Sequence, residues 1–404
     1  MKLKTLFAPG PGRLLLIAGA LAFFALGASQ SLYGPFFPYF GRALGVTASQ
    51  LGLIPSFHFA AATAGILIGG FLAQRVSYGF VFVAGAITLA AGYIAVAAAG
   101  SWAAVLTGVP LIGLGFGLLV NFNMAVDQSF GPLGAAALQL VNAFFSVGAV
   151  AGPLIATLSL EFGGQALAFG LGGAVSLILL ALLLFGGRTI NGVIREARNK
   201  VEDSSHDGRG VPRGRILMAI AVFLPFFLIY VGAEASFSSW IPTHLTSILP
   251  VAAASAVASG FWLFFTLGRL VAVPLSMRMR PSHVVIFAVL LGGLAAAAAT
   301  VDLLAPLAYL VAGFALGPIF PGGLSWLRRR YPAEAAPASS VIIAAGGVGA
   351  VIIPPVIGYV VEGRGAAVIP VGLSMILAAA IVLAGAVAAS GRRGRAGSIA
   401  PRRD

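Results

Sequence analysis

The sequence contains no cysteine, which excludes a disulfide framework and a thiolate metal site. Charge is almost as scarce. Asp, Glu, Lys and Arg make up 9% of 404 residues, against about 25% in a soluble domain. A soluble fold of this length could not cover its surface with so few polar groups. A cytosolic enzyme, a disordered chain and a coiled coil are therefore excluded. No stretch resembles an ATP-binding loop. Only one long polar stretch exists, Arg188 to Arg215, so there is no room for a separate catalytic module. The chain is not read as an enzyme, and no cofactor or metal is expected.

What is present is apolar. Hydrophobic residues account for 59% of the chain, and the mean hydropathy is +1.03. Crossing the hydrocarbon layer takes about 20 such residues per helix. Twelve helical spans are read roughly at 14–40, 50–74, 79–99, 102–126, 133–158, 165–186, 215–243, 252–276, 283–301, 304–326, 337–360 and 366–389. The result is an all-α membrane protein. Lys2 and Lys4 before the apolar run Leu14–Leu26, with Gly27-Ala28-Ser29 after it, resemble a cleavable signal peptide. A first span is the preferred reading, because the apolar run continues to Phe37 and its loss would leave an odd number of helices.

A net charge of +13 would suggest nucleic acid in a soluble protein. Here its placement sets topology instead, and no nucleic-acid partner is expected. With the N-terminus inside, 21 of the 24 Lys and Arg residues fall on the inner side; Arg42 and Arg364 fall outside and Arg269 within a span. That split is what the positive-inside rule predicts for two cytoplasmic termini. The Gly-, Ala- and Arg-rich composition suits a bacterial inner membrane.

The sequence also repeats. Val147-Gly148-Ala149-Val150-Ala151-Gly152-Pro153 matches Val348-Gly349-Ala350-Val351-Ile352-Ile353-Pro354 at an offset of 201. Gly113-Leu114-Gly115-Phe116-Gly117 echoes Gly313-Phe314-Ala315-Leu316-Gly317 at an offset of 200. Two parallel six-helix halves follow, the internal symmetry of a major facilitator transporter. The division expected is 1–187 for the first half, 188–214 for a cytoplasmic linker, 215–390 for the second half and 391–404 for a basic cytoplasmic tail.

Three stretches carry a closer resemblance: Tyr230-Val231-Gly232-Ala233-Glu234 with Trp240 to Leu245, Leu140 to Pro153, and Gly313 to Pro321. They are similar to the fucose-permease-like branch of the major facilitator superfamily. That resemblance implies a sugar:cation symporter. The superfamily's loop motif between spans 2 and 3 reads here from Gly70 to Gly79, with Gln74 before Arg75 where the family has aspartate. The ion-pair latch that the resemblance implies at Arg75 is thereby weakened. The resemblance also implies coupling acids in spans 1 and 4. Span 1 has none, and span 4 shows Asn121 and Asn123, so that proton route is missing.

Of eleven acids, only Glu234 lies well inside a span. An ionisable group at the bilayer centre costs about 2.5–3.5 kcal/mol, which makes it a functional candidate. The alternative is an acid facing water in the outer half, since Glu234 lies about 28 Å along a helix from Arg215. Gln139, Asn142 and Ser146 share one face of span 5, and Gln30, Tyr33 and Phe37 one face of span 1. Their amides suit sugar hydroxyls; interhelical hydrogen bonding is the plainer role, and Asn121 and Asn123 are open to either. Trp240 belongs to the outer aromatic belt or stacks on a sugar, and Trp262 lines a cavity or the core. His58 is a satisfied hydrogen-bonder before it is a proton relay. Arg269 snorkels to the inner interface or forms a gate. Gly148, Gly152, Pro153 and Pro354 are hinges or close-packing positions.

The reading is a secondary transporter of a small polar solute such as a sugar. It works by alternating access, with a proton or sodium as coupling partner and the lipid bilayer as environment, and is taken to be a monomer. An efflux antiporter for amphipathic compounds and a non-transporting sensor on the same fold are the alternatives.

Overall fold

The computed structural model describes residues 10–130, 133–202 and 212–396. All regular elements among them are helices. Twelve are long and apolar enough to cross a membrane. Spans 1 to 6 are Pro11–Leu44, Ala48–Arg75, Tyr78–Ala97, Trp102–Ser129, Ala137–Phe162 and Gly164–Ala197. Spans 7 to 12 are Arg213–Thr246, Val251–Ala272, Pro281–Ala298, Ala305–Arg330, Val341–Arg364 and Ala366–Ser390. The chain is thus a multi-pass membrane protein.

Local chemistry sets the ends of these helices. Thr47 and Gln50 form a capping box before span 2. The Ser77 and Ser101 hydroxyls accept backbone N–H groups at the starts of spans 3 and 4. Each cap satisfies donors that the first turn leaves free. Gly45 ends span 1 with φ of 63°, a left-handed conformation that glycine adopts without strain.

The chain forms two compact units, Met1–Arg209 and Gly210–Asp404. In the first, span 1 packs on spans 5 and 6, span 2 on span 4, and span 3 on spans 4 and 6. In the second, span 7 packs on spans 11 and 12, span 8 on span 10, and span 9 on spans 10 and 12. The pairing scheme is the same. Lipid is as apolar as the side chains, so helices associate through close packing of small residues rather than through the hydrophobic effect.

The glycines show that packing repeats residue by residue. A Cβ on Gly113 would stand 2.2 Å from the carbonyl oxygen of His58, and one on Gly313 would stand 2.3 Å from that of Phe261. Gly117 abuts the Ala62 carbonyl and Gly317 the Phe265 carbonyl in the same way. Gly148 meets the Phe24 carbonyl in span 1, and Gly349 meets the Leu228 carbonyl in span 7. Phe24 and Leu228 differ by 204 in number. At that offset Gln30 in span 1 is the counterpart of Glu234 in span 7.

The helix of span 6 runs on to Glu202, so the first part of the stretch expected as a linker is helical. Asn191 on this extension accepts the Gly79 N–H at 2.9 Å, tying it to the start of span 3. Residues 203–211 lie outside the described residues, as do Lys2, Lys4, Pro132 and the end of the basic tail from 397 onward.

Candidate functional site

Span 10 is broken, and its sequence says why. One helix ends at Leu316 and the next begins at Ile319, with Gly317 and Pro318 between them. Pro318 and Pro321 have no N–H, so the carbonyls of Phe314 and Gly317 lack their helical donors. The break also separates the Leu316 carbonyl from the N–H of Phe320. Two side chains from other spans take up these acceptors. The Tyr230 hydroxyl in span 7 lies 2.9 Å from the Leu316 oxygen. Arg269 Nε in span 8 donates to the Gly317 oxygen at 3.2 Å.

Glu234 sits one turn along span 7 from Tyr230, and its Oε2 lies 2.8 Å from the same hydroxyl. Tyr230 is fully buried, and the charges acting on it are Glu234 and Arg269. The Arg269 guanidinium also stands 4.4 Å from the centre of the Phe265 ring, a cation–π contact. A carboxyl, a phenol, a guanidinium and two freed carbonyls therefore converge on one helix break. Gly317 and Pro318 keep right-handed helical dihedrals, so the break interrupts the hydrogen-bond ladder without unwinding the chain.

This placement corrects the snorkelling reading of Arg269, which is half-buried and turned towards span 10. The proline-freed carbonyl of Gly317 offers it an acceptor nearer than bulk water. The first unit treats the equivalent carbonyl differently. There the Asn121 side chain donates to the Gly117 and Leu118 oxygens at 3.1 and 3.2 Å. Asn121 thus satisfies the break within span 4, between Val120 and Phe122, and packs against Gly69 in span 2.

A second polar group lies in the first unit. Asn142 Nδ2 in span 5 donates to Asn123 Oδ1 in span 4 at 2.9 Å, and both residues are half-buried. Gln139, expected on the same face as Asn142, is exposed. The structure also joins Tyr33 to His58, with 3.2 Å between the hydroxyl and Nδ1. Phe59 and Phe116 edge the imidazole, and its Nε2 is buried with no hydrogen-bond partner among the described residues. Gln30 is half-buried one turn before Tyr33.

The remaining candidates are packed. Trp262 is 2% exposed and stands edge-on to Phe261 and Phe265. Trp240 is fully buried, and its Nε1 donates to the Pro354 carbonyl at 3.0 Å. This corrects its placement in an outer aromatic belt: the indole N–H finds its partner inside the protein. Gly148 and Gly152 face span 1, the latter against the Ser31 hydroxyl, and Pro153 lies within the same helix. Arg75 is exposed with its guanidinium 4.7 Å from the Phe71 ring.

Sequence reading missed Tyr230, since a tyrosine among phenylalanines carries no polar signal. It also missed His244, whose Nδ1 lies 2.8 Å from the Tyr309 hydroxyl and whose Nε2 is 4.0 Å from Asp302. Glu334, read as a loop acid, is fully buried and pairs with Arg215 at 2.6 Å. Its distance from Arg215 in sequence hid that pair.

A family model described as Major Facilitator Superfamily matches residues 19–249. The sodium-dependent glucose transporter 1A of Mus musculus is 23% identical, covering 83% of this chain and 87% of that protein. Among solved structures, a mutant form of the peptide transporter POT matches with a TM-score of 0.76 at 17% identity, over 97% of this chain and 95% of that one. The xylose transporter XylE from E. coli matches with a TM-score of 0.74 at 12% identity, over 92% and 96% of the two chains.

Proposed function

The chain belongs to the Major Facilitator Superfamily, and from that premise we propose that this secondary active transporter carries a sugar, coupled to a proton or sodium. The observation that supports this reading is the meeting of Glu234, Tyr230 and Arg269 at the break in span 10. An ionisable group is expensive within the bilayer. Its retention beside freed carbonyls suits a group that binds and releases the coupling ion. The relative named as a sodium-dependent glucose transporter makes glucose the first solute to try.

For the solute itself, Asn123 and Asn142 offer a joined pair of amides, and Gln30 and Tyr33 add further polar groups. Each amide presents both donors and acceptors to sugar hydroxyls. Gln139 and Trp262 complete the proposed substrate set. Gly148, Gly152, Pro153 and Pro354, with Arg75 and Arg269, are assigned to the conformational steps. The protein is proposed to act as a monomer in a bacterial inner membrane with both termini cytoplasmic. Residues 1–187 and 215–390 are its two proposed halves, with 188–214 as linker and 391–404 as tail.

The test is ion flux in proteoliposomes containing a pH dye or a sodium dye, with glucose, other sugars and small acids added outside. Sugar-driven influx of either ion, lost in Glu234→Gln, is the expected result. Sugar-driven influx unchanged in Glu234→Gln removes Glu234 from the mechanism. Proton-linked expulsion of amphipathic dyes, with no response to any sugar, overturns the sugar assignment.

A further inference from the structure

The His58 imidazole is 1% exposed, and its two nitrogens are served unequally. Nδ1 lies 3.2 Å from the Tyr33 hydroxyl. Nε2 is buried with no hydrogen-bond partner among the described residues. Two arrangements of the hydrogens fit. If Tyr33 donates to Nδ1, the ring hydrogen sits on Nε2, and that N–H alone is left over. If Nδ1 donates to Tyr33, the Tyr33 hydrogen and the Nε2 lone pair are both left over. Every unpaired buried group costs stability, so the arrangement with an N–H at Nε2 is the better one. Spans 1 and 2 contain no acid, so neither helix offers a counter-charge for a doubly protonated ring.

We propose that the Nε2–H of His58 is a binding donor for the transported solute, and that the solute is an uncharged sugar. The proposal rests on the sugar reading above and adds the side chain that recognises one of the sugar oxygens. The imidazole is held from two sides. A Cβ on Gly113 would stand 2.2 Å from the His58 carbonyl oxygen, so spans 2 and 4 cross in backbone contact at this residue. Tyr33 holds the ring from span 1. A donor fixed before the solute arrives loses little freedom on binding.

The surroundings are aromatic. Tyr33, Phe59 and Phe116 stand edge-on to the imidazole, with ring centres 5.5, 5.1 and 5.2 Å away. Phe145 in span 5 stands 6.4 Å from Phe116. Apolar rings around a single placed polar group are the usual lining of a small-molecule site. A sugar suits it, with C–H faces for the rings and oxygens for the donor. None of the side chains bonded to His58 or in ring contact with it is charged. A sugar acid, amino sugar or sugar phosphate would therefore bring a charge with no partner. Phe59 and Phe116 are half-buried where Tyr33 and His58 are buried. They are the rings placed to turn aside as the solute enters. Until then the N–H has only a ring face to meet, which is a weak acceptor.

The test uses full-length protein in detergent with isotope-labelled histidine. Binding is followed by calorimetry and the imidazole by NMR, with glucose, galactose, mannose and xylose added in turn. The chain has four histidines, and the resonances missing in His58→Gln are those of His58. Before any sugar is added, the ring hydrogen is expected on Nε2; a hydrogen on Nδ1 alone overturns the assignment. The sugar that binds should move the Nε2–H resonance and leave Nδ1 nearly in place. Its monodeoxy analogues are then compared. One of them should bind about fivefold more weakly and leave Nε2 unmoved. In His58→Leu the parent sugar and that analogue should bind equally, and His58→Gln, which keeps an N–H donor, should restore part of the difference. Glucuronate and glucosamine should bind at least about tenfold more weakly than glucose; equal binding overturns the substrate class. A sugar that binds with Nε2 unmoved overturns the role of His58 and leaves the sugar reading standing. No binding by any sugar overturns the sugar reading and this inference with it. Should His58→Leu fail to fold, the natural sequence decides. If every monodeoxy analogue moves Nε2 as the parent does, His58 is not the donor.

Discussion

Asn142 and Asn123 share one hydrogen bond across spans 4 and 5, so their effects on solute binding should not add. Loss of one amide contact costs on the order of 1 kcal/mol, or roughly a fivefold rise in KM for the transported sugar. Asn142→Ala and Asn123→Ala should each raise KM by that factor, and the double variant little more, as expected for coupled neighbours. Fully additive effects would mean that the two residues bind the solute independently. Asn121→Ala belongs to a different class. Its side chain satisfies carbonyls of its own helix, so the thermal midpoint should fall with KM unchanged. Sequence reading could not make this distinction. Asn121 and Asn123 are two residues apart and chemically identical, and only the break after Val120 separates their roles. Glu234 was legible because a lone acid in an apolar run is costly and conspicuous. Tyr230, whose hydroxyl lies 2.8 Å from Glu234 Oε2, was not, because its polar atom is one oxygen on an apolar ring.

At the scale of single helices, the glycines matter more than the side chains around them. Alanine normally stabilises a helix interior by about 1 kcal/mol over glycine. At Gly148 and Gly349 the added Cβ would fall 2.0 and 1.8 Å from a backbone carbonyl oxygen of the partner span. Backbone cannot yield as a side chain end can, and overpacking costs about 1–3 kcal/mol, so the clash outweighs the propensity. Gly148→Ala and Gly349→Ala should therefore lower the melting midpoint of the purified protein, while Gly187→Ala, with nothing within 4 Å of its Cβ, should hold or raise it. Equal midpoints in all three would show that these crossings have slack. The break in span 10 is a second feature at this scale. Pro321→Ala restores an N–H within reach of the Gly317 carbonyl, in competition with Arg269. A higher melting midpoint with lower solute flux is expected, since a straighter helix gains hydrogen bonding and loses the break. The sequence reading placed its hinges at Gly148, Gly152, Pro153 and Pro354 and passed over Gly317-Pro318; which side chains receive the freed carbonyls depends on spans 7 and 8 and could not be read locally.

For the whole chain, the count of twelve spans and the six-plus-six repeat were both readable, and for one physical reason. Each span must be apolar for about 20 residues, and each close crossing must carry small residues at matching depth. Both demands leave marks at fixed intervals in the sequence, and the structure returns the same intervals as backbone contacts at Gly148 and Gly349, or Gly113 and Gly313. The orientation in the membrane follows from a different force. Positive residues are held on the cytoplasmic side during insertion, and 21 of 24 Lys and Arg residues lie on the side proposed as inner. Because the chain has no cysteine, single substitutions can report this orientation in intact cells. Leu303→Cys, between spans 9 and 10 and 89% exposed, should react with a membrane-impermeant maleimide added outside. Arg195→Cys, near the C-terminal end of span 6, should react only after the cells are opened. The reverse pattern would invert the topology. Protection at both sites, or reaction at both, would mean that the number of crossings between residues 195 and 303 is not the three that the charge distribution requires.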